Sequence, residues 1–441
     1  MAKRVVKILL LINWKNRDLR PAVQVGLLLK HLGYDVFYSN HTNAMWNIFY
    51  HKPELTIFPQ VVAEKDKAQL AKKMGSKICV IHSEGTVSPH SERSFFEFDP
   101  TMKVEDYNDL KIVWGPEFKK LVIKNTDLSP DKIKICGNPR FDIYREPLSI
   151  LLSQNTLSQK IPLDPNKKVI LFASNFVNLD KNVKMLEKNY GPNYSEILEI
   201  ERKLFEKTLN ILKKYFSKNL DLQLVIKLHP LELGEKYEDL VSLKNVYMIT
   251  NLDISLILND IDLLLHTNST VSSEASFLEK PVITLMFEEE YEEYIIENVK
   301  SLPKARDYNE FALLVEKCLS LGRMTEEITI KQEEFVAKWF YKIDGFSSIR
   351  CVKGIDEFIQ NHQNSIRTTR RINLMDFFKI LKGSTPGKKT ISILSRIIHG
   401  GKLTYYQKIG RTERISQKDV KNMEDVINKV YSESCYYHYL E

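Results

Sequence analysis

The chain has 441 residues, of which 43% are hydrophobic and 27% charged, and its formal net charge is +7. This length exceeds what one ordinary hydrophobic core holds, so we expect two domains. The five cysteines are scattered and form no Cys-x-x-Cys pair, which argues against a disulfide framework and a zinc site and indicates a reducing compartment. No run of about 18 apolar residues occurs, so no membrane-spanning segment is predicted.

The positive charge is concentrated at the C-terminal end. Residues 365–441 carry 15 Lys and Arg against 7 Asp and Glu, whereas residues 1–364 carry 49 and 50. A nucleic-acid-binding tail, a tail that docks on anionic lipid and a solvated extension all fit this asymmetry. Apolar residues interspersed with the basic ones favour amphipathic helices on a membrane surface. The neutral body carries no recognition motif, so we predict no nucleic-acid partner and a cytoplasmic protein peripheral to the inner membrane face.

The first third of the chain alternates apolar strands with helical stretches. "VVKILLLI" predicts a strand, and a helix follows from Pro21 to Gly33, with proline at its start and glycine at its end. The next predicted strands are "YDVFYSN", "ELTIFP", "KICVIH", "KIVWG" and "KIKICG", with helices over Val62 to Met74 and Glu117 to Asn125. Such alternation predicts a parallel sheet with helices on both faces.

A second alternating series follows a Pro- and Ser-rich connection. Its strands are "KKVILFASN", "LQLVIKLHP", "NVYMIT", "IDLLLH" and "PVITL", with a long helix from Tyr194 to Phe216. The predicted fold class is α/β, with two doubly wound, Rossmann-like domains in a GT-B arrangement. Their predicted extents are 1–145 and 167–364, with a linker at 146–166 and a basic, helical extension at 365–441. Neither Gly-x-Gly-x-x-Gly nor a Walker-type lysine loop is present, so dinucleotide and P-loop chemistries lack their signatures.

A loop rich in hydroxyl groups follows the strand "LLLH" and opens a helix. Backbone N–H groups at such a helix start attract phosphate, although an ordinary capped helix is an equal alternative from this segment alone. The candidate donor-binding residues here are Ser269, Thr270, Ser272, Ser273 and Glu274.

Two shorter motifs at strand ends could do chemistry. In His82-Ser83-Glu84-Gly85-Thr86, a desolvated Glu84 can act as a general base, and Gly85 permits close approach; the alternative is a solvated turn. In Lys227-Leu228-His229-Pro230, the proline extends the chain and directs His229 out of the sheet end, where imidazole could donate to a phosphate. A structural histidine is the alternative.

The remaining candidates are placed by turn chemistry or topology. In Gly137-Asn138-Pro139-Arg140-Phe141-Asp142, we expect Arg140 and Asp142 to pair across a hinge, with Asn138 and its neighbours lining a cleft as a secondary role. Polar residues after the first strand are candidates on the acceptor side, namely Asn13, Arg17 and Asp18, together with His82 and Gly85. Polar residues after "VILFA" are candidates on the donor side, namely Ser174 and Asn175.

Taken together, these motifs resemble bacterial surface-polysaccharide glycosyltransferases that use CMP-activated acidic sugars. Glu84-Gly85, His229-Pro230 and the Ser/Thr loop look like the family's acidic-Gly, His-Pro and Ser-Ser/Thr motifs, although Ser83 stands where a first acidic residue is expected. The resemblance implies transfer of a sialic- or Kdo-like sugar from CMP to a glycan or lipid-linked glycan in capsule or lipopolysaccharide synthesis. It implies Glu84 as base, His229 at the donor phosphate, and neither metal nor cofactor.

A second family overlaps with the first. "GNPRFD", "KLHP", "NSTVSSEASFLEKPVI" and "DGFSSIR" are similar to teichoic-acid-type polymerases, which transfer glycerol phosphate or ribitol phosphate from CDP-alcohols. That family has a His-Gly-Thr motif with histidine as base, and here Ser83-Glu84 separates His82 from Gly85. A carboxylate beside the glycine favours glycosyl transfer, which we take as the function, with the CDP-alcohol reaction as alternative. A UDP-sugar 2-epimerase of the same fold is a further alternative.

Overall fold

The structure is a computed structural model, and it describes residues 5–60, 64–83, 107–153, 157–190, 194–250, 252–362, 380 and 415–440. Within these ranges the contacts define two compact units. Residues up to 83, from 107 to 148 and from 338 onward form the first unit, and residues 149–337 form the second.

The first unit contains a parallel six-stranded sheet in the order β2-β1-β3-β4-β5-β6. Its strands are β1 (Lys7–Ile12), β2 (Asp35–Asn40), β3 (Leu55–Phe58), β4 (Lys77–Ile81), β5 (Leu110–Val113) and β6 (Ile133–Ile135). Its helices are α1 (Lys15–His31), α2 (Ala44–His51), α3 (Lys65–Lys73), α4 (Pro116–Asn125), α12 (Ser347–Asn361) and α13 (Gln417–Glu433). The strand order reverses between β1 and β3.

The second unit also contains a parallel six-stranded sheet, in the order β12-β11-β10-β7-β8-β9. Its strands are β7 (Lys168–Ala173), β8 (Leu222–Lys227), β9 (Val246–Ile249), β10 (Leu263–His266), β11 (Val282–Leu285) and β12 (Lys304–Ala305). Its helices are α5 (Val183–Tyr190), α6 (Tyr194–Phe216), α7 (Glu238–Val241), α8 (Val271–Ser276), α9 (Glu297–Lys300), α10 (Tyr308–Leu321) and α11 (Glu326–Trp339), the last of which extends past the unit's end at Ala337.

Both faces of the second sheet are buried, as its near-continuous apolar strands require. Ile170 and Phe172 of β7 belong to one hydrophobic cluster, whereas Val169 and Leu171 of the same strand belong to another. Because successive strand residues point to opposite faces, each face has its own core under a layer of helices. The prediction of an α/β fold with two parallel sheets is confirmed.

Helix α1 begins earlier than the sequence analysis predicts. It starts at Lys15, so Pro21 lies inside it, although proline has no N–H to donate to the preceding turn. The carboxylate of Asp18 accepts the N–H of Trp14 at 3.0 Å and stabilises this earlier start. The start matters because the first turn of α1 carries candidate site residues.

The C-terminal helices α12 and α13 belong by their contacts to the first unit. The sequence analysis instead places residues up to 364 in the second domain and residues 365–441 in a separate extension. Helix α13 lies against α1, where Lys15 Nζ is 2.6 Å from Asp419 Oδ1. Beyond the end of α13, the ring of Tyr437 stacks on that of His31 at 4.3 Å. In the part of the chain that the structure describes, no helix is long and apolar enough to cross a membrane.

Candidate functional site

A cavity of about 50 Å³ lies in the first unit at the carboxyl ends of β1, β3 and β4. In doubly wound sheets, ligands bind at this edge, where the strand order reverses. Its floor is apolar, and its polar lining consists of Arg17, Asp18, His82, Ser83, Asn138 and Arg140. The structure therefore brings together two of the three predicted residues after β1 with His82 and the Gly137–Arg140 turn.

Arg17 is oriented by its neighbour Asp18. The Asp18 carboxylate accepts from Arg17 Nε at 2.6 Å and from its Nη2 at 3.2 Å, besides accepting the N–H of Trp14. Asp18 is buried and Arg17 is half-buried at the cavity. Asp18 thus positions a guanidinium, and of the two it is Arg17 that has the chemistry to bind an anion. Asn13 follows β1 but is not among the described residues that line this cavity.

Asn138 fixes the turn that carries Arg140. Its side chain accepts the N–H of Arg140 at 2.8 Å and donates to the carbonyl of His82 at 3.3 Å. Arg20 of α1 donates to the carbonyl of Arg140 at 2.9 Å. These bonds attach the turn to β4 and to α1, so Arg17 and Arg140 are held on the rim of one cavity.

His82 is 4% exposed, and its ring meets Phe118 edge-on at 5.1 Å. Its carbonyl also accepts from Trp114 Nε1 at 2.6 Å. Glu84 and Gly85, predicted as base and close-approach glycine, lie outside the described residues.

Asp142 does not pair with Arg140 as predicted. It is 1% exposed and accepts the N–H groups of Ser347 and Ser348 at 2.9 and 2.7 Å, as well as the hydroxyl of Ser348 at 2.6 Å. It therefore caps α12, since the first N–H groups of a helix have no partner within it. Burial raises the pKa of this carboxyl, although the three donors oppose the shift. The motifs "GNPRFD" and "DGFSSIR" meet here. We call this hydrogen-bonded contact of Asp142 with Ser347 and Ser348 the clasp.

The second unit has an equivalent edge, where β7 and β10 are neighbours and the strand order reverses. Asn175, after β7, donates to the carbonyl of Asn268, after β10, at 3.0 Å. Ser174 is buried and donates to Glu232 at 2.8 Å. Of the predicted donor-side residues, Asn175 therefore contacts the 268–274 loop, whereas Ser174 lies in a polar cluster with Glu232.

The hydroxyl residues of that loop divide into two pairs. Ser272 and Ser273 are fully buried, and both accept from the amide of Asn298 at 2.8 Å. Ser272 and Ser273 therefore hold α8 against Asn298, and Glu274 of the same helix is also buried. Ser269 is half-buried and Thr270 exposed, so these two remain the candidates for contact with a ligand. Ser269 and Thr270 precede α8, which begins at Val271 and has no side-chain cap, whereas residues 271–275 of the helix are all buried.

His229 lies half-buried just beyond β8, before the exposed Pro230. Its Nδ1 accepts the N–H of Leu231 at 3.2 Å, so the neutral ring carries its proton on Nε2. Lys227 is buried, and its ammonium donates to the carbonyl of Leu228 at 2.8 Å, which stabilises the strand end. Because Lys227 is buried and His229 is half-buried, His229 is the one of the two that we retain as a candidate for contact with a ligand.

Sequence reasoning missed a buried polar cluster at the carboxyl ends of β7 and β8. Tyr237 donates to Glu232 at 2.6 Å, and Lys236 lies 3.1 Å from Glu232 and 2.9 Å from Asp180. Glu201 of α6 adjoins it, 4% exposed. No motif marks these residues. In the described ranges no three His, Cys, Asp or Glu side chains are grouped so as to hold a metal.

The fold is α/β, with two parallel sheets that each contain a reversal of strand order, and ligands of doubly wound proteins bind at such reversals. A family model for CDP-glycerol:poly(glycerophosphate) glycerophosphotransferases matches residues 60–357. The chain belongs to this transferase family, in agreement with its resemblance to teichoic-acid-type enzymes. No curated protein sequence matches it.

Solved structures share the fold at low sequence identity. A complex of MnaA from S. aureus with UDP matches at TM-score 0.54 and 14% identity, covering 81% of this chain and 97% of that one. A structure of the wall teichoic acid polymerase TagF with CDPG matches at TM-score 0.52 and 15% identity, covering 81% and 89%. A UDP-N-acetylglucosamine 2-epimerase matches at TM-score 0.51 and 14% identity, covering 84% and 100%.

The predicted transfer of an acidic sugar from a CMP-activated donor is wrong. The family match is to glycerophosphotransferases, which supports the CDP-alcohol alternative, and the resemblance to sialyl- and Kdo-type enzymes has no support. The capsule and lipopolysaccharide assignments lose their basis with it. The prediction of glycosyl transfer relied on the carboxylate beside Gly85. The motifs "GNPRFD" and "DGFSSIR", which favour the teichoic-acid-type family, contact each other in the structure through Asp142 and Ser348.

Proposed function

We propose that this protein transfers a polyol phosphate from a CDP-alcohol to a hydroxyl group of an acceptor chain. The observation that carries the proposal is the family match over residues 60–357. It is supported by the position of His229 and of the Ser269–Thr270 pair beyond strands β8 and β10, at the edge of a parallel sheet where nucleotides bind.

In the proposed reaction, the acceptor oxygen attacks the phosphorus that bears the polyol. The bond from that phosphorus to the bridging oxygen breaks, CMP leaves, and a base takes the hydroxyl proton. His229 donates from Nε2 to the departing phosphate, and the hydroxyls of Ser269 and Thr270 stabilise the same charge. In such transfers the rate enhancement comes mainly from positioning the reactants and from stabilising charge. We propose that the reaction is metal-independent.

The acceptor is proposed to bind at the first-unit cavity. Arg17 and Arg140 line it together, and guanidinium groups suit the phosphates of a polyol-phosphate chain. His82 and Glu84 are the two candidates for the base. The variants His82→Asn and Glu84→Gln distinguish them, because loss of the base lowers turnover without weakening donor binding.

Ligand-dependent stabilisation tests the donor class directly. CDP-glycerol or CDP-ribitol should raise the melting temperature more than UDP, GDP or a CMP-sugar, since stabilisation follows affinity. His229→Ala should lower CMP release by about a hundredfold with donor affinity nearly kept. His438→Ala, on the surface of the first unit, is the control. A preference for UDP, or full turnover by the His229 variant, would overturn the proposal.

We further propose a cytoplasmic location with binding to an anionic membrane surface through the C-terminal segment. Of its 15 basic residues, 12 lie in 365–414, with only 2 acidic ones, whereas the helix-bearing end from 415 has a small acidic excess. Near-surface basic residues each add affinity for anionic lipid. Vesicles of phosphatidylserine should bind the whole chain but not a variant with Lys and Arg of 365–414 changed to Gln; equal binding would refute this.

A further inference from the structure

The side chain of Glu232 is fully buried just beyond β8. Its Oε1 accepts the hydroxyl groups of Ser174 at 2.8 Å and Tyr237 at 2.6 Å, and Lys236 Nζ lies 3.1 Å from the same oxygen. Burial of a carboxylate is costly unless the group is paired and hydrogen-bonded. These three donors therefore compensate the burial of Glu232.

The other carboxyl oxygen of Glu232 contacts the candidate His229. Oε2 accepts the backbone N–H of His229 at 3.3 Å, and the backbone N–H of Glu232 donates to the carbonyl of His229 at 2.9 Å. The N–H of Leu231 donates to Nδ1 of the imidazole at 3.2 Å. Residues 229–232 thus form a closed turn, with Pro230 at the second position, where proline is favoured. Both the backbone and the ring of His229 are held by this turn.

The same carboxylate joins this turn to the neighbouring strand end. Ser174, which donates to Glu232, directly follows β7. The next residue, Asn175, donates to the carbonyl of Asn268 at 3.0 Å, and Asn268 directly precedes the Ser269–Thr270 pair. A continuous path of hydrogen bonds and adjacent residues therefore connects the turn after β8 to the loop that carries the two candidate hydroxyl groups.

We propose that Glu232 is a positioning residue, which holds His229 in place relative to the Ser269–Thr270 pair. This inference rests on the proposed function, in which His229 donates to the departing phosphate. A hydrogen-bond donor stabilises developing charge only when it is fixed in the required place, and a small displacement costs much of the rate. Because its side chain is buried, Glu232 acts through His229 and not by contact with the CDP-alcohol.

Glu232→Gln tests the bond to His229 selectively. Three donors converge on Oε1, so the amide oxygen should take that position, and the amide NH2 group then faces the N–H of His229. Two donors cannot bond to each other, so the variant loses the contact with His229 and retains the size of the side chain. We expect kcat for polyol-phosphate transfer to fall about tenfold, with the KM for CDP-glycerol nearly unchanged.

A double-mutant cycle separates positioning from a general weakening of the fold. If Glu232 acts through His229, Glu232→Gln should lower kcat no further in the His229→Ala background, and an equal further loss would overturn the inference. Asp180→Asn is the matched control, because Asp180 accepts from Lys236 at 2.9 Å and from the N–H of Leu233 at 3.0 Å in the same cluster. Its melting temperature should fall as that of Glu232→Gln does, with kcat kept. An equal loss of kcat in the control would also overturn the inference.

The ring nitrogens of His229 give a readout that needs no substrate. At about pH 8, their NMR resonances in the original protein should show an acceptor Nδ1 and a protonated Nε2, as the bond from Leu231 requires. Glu232→Gln should move both resonances towards the average of the two tautomers, whereas Asp180→Asn should not. Unchanged resonances in the Gln variant would overturn the inference. If the original protein transfers no polyol phosphate, the proposed function fails, and the resonances still decide whether Glu232 positions His229.

Discussion

Asp142 and Ser348 are 206 positions apart in the chain, yet the hydroxyl of Ser348 donates to the carboxylate of Asp142 at 2.6 Å in a fully buried contact. This bond joins the turn that carries Arg140 to the first turn of α12. Because the same turn lines the first-unit cavity, the clasp fixes one wall of the proposed acceptor site.

Replacing Asp142 with alanine should destabilise the first unit. Three donors would lose their acceptor in a site without water access, which costs about 3 kcal/mol or more. Urea unfolding followed by the fluorescence of Trp114, which packs on Phe141, reports this unit. Asp131→Ala, on the surface of the same unit, should leave the midpoint unchanged. Equal midpoints for both variants would mean that the clasp does not hold the unit.

Gly137 is required by both its backbone and its surroundings. Its φ is +79°, and a Cβ atom there would lie 2.5 Å from the hydroxyl of Ser347. Gly33 has a similar φ of +88° with open space around it. Gly33→Ala should therefore cost about 1 kcal/mol from backbone strain alone, and Gly137→Ala distinctly more. Thermal unfolding of the two variants measures the difference in stability. Equal losses of stability would show that the side chain of Ser347 can move aside without an energetic cost.

The loop after β10 should separate into structural and ligand-binding residues. The double variant Ser272→Ala, Ser273→Ala leaves the amide of Asn298 without these acceptors, so the free energy of unfolding should fall by about 1–3 kcal/mol. Its affinity for CDP-glycerol, measured below the unfolding temperature, should be kept. The double variant Ser269→Ala, Thr270→Ala should do the reverse and bind CDP-glycerol about five- to tenfold more weakly at unchanged stability. Calorimetry and thermal unfolding of both double variants decide, and the opposite pattern would restore Ser272 and Ser273 as ligand residues.

The docking of α13 on α1 should depend on pH through Asp419. Hydrogen bonds from Lys15 and Ser416 outweigh partial burial and lower the pKa of Asp419 to about 2. Because the pKa of Asp419 is lower in the folded protein than the unfolded value of about 4, the ionised carboxylate stabilises the folded state above that pH. This stabilisation is lost as the pH falls towards 2. Lys15→Met should speed hydrogen exchange of α13 at pH 7, and the difference from the original protein should vanish near pH 2.

The matched control for this docking is Lys421→Met. Lys421 pairs with Asp425 within α13 at 2.7 Å, on the exposed surface of the helix. Its loss should leave exchange of α13 nearly unchanged, as exposed pairs contribute little. Faster exchange in both variants would indicate that the helix responds to charge in general and not to its contact with α1.

Apolar runs and their boundaries made the strands predictable, and α6 spans Tyr194–Phe216 as its periodicity predicts. The pairing of Asp142 with Ser347 and Ser348 was not predictable, because nothing local links residues more than 200 positions apart. Glu201 was missed for a related reason. In the sequence it is one acidic residue among several in a charged helix, and only the packing of α6 buries it.

The two arginines of the first-unit cavity should determine affinity for a charged acceptor. Arg17→Gln and Arg140→Gln should each raise the KM for a glycerol-phosphate oligomer about tenfold, because each removes a charge-assisted contact to phosphate. The effect should shrink as salt rises, since salt screens charge interactions. CDP-glycerol binding, proposed for the second unit, should not change. Arg145→Gln, outside the cavity lining, is the control. If a neutral polyol acceptor loses as much as the oligomer, the arginines support the structure of the cavity and do not bind acceptor phosphate.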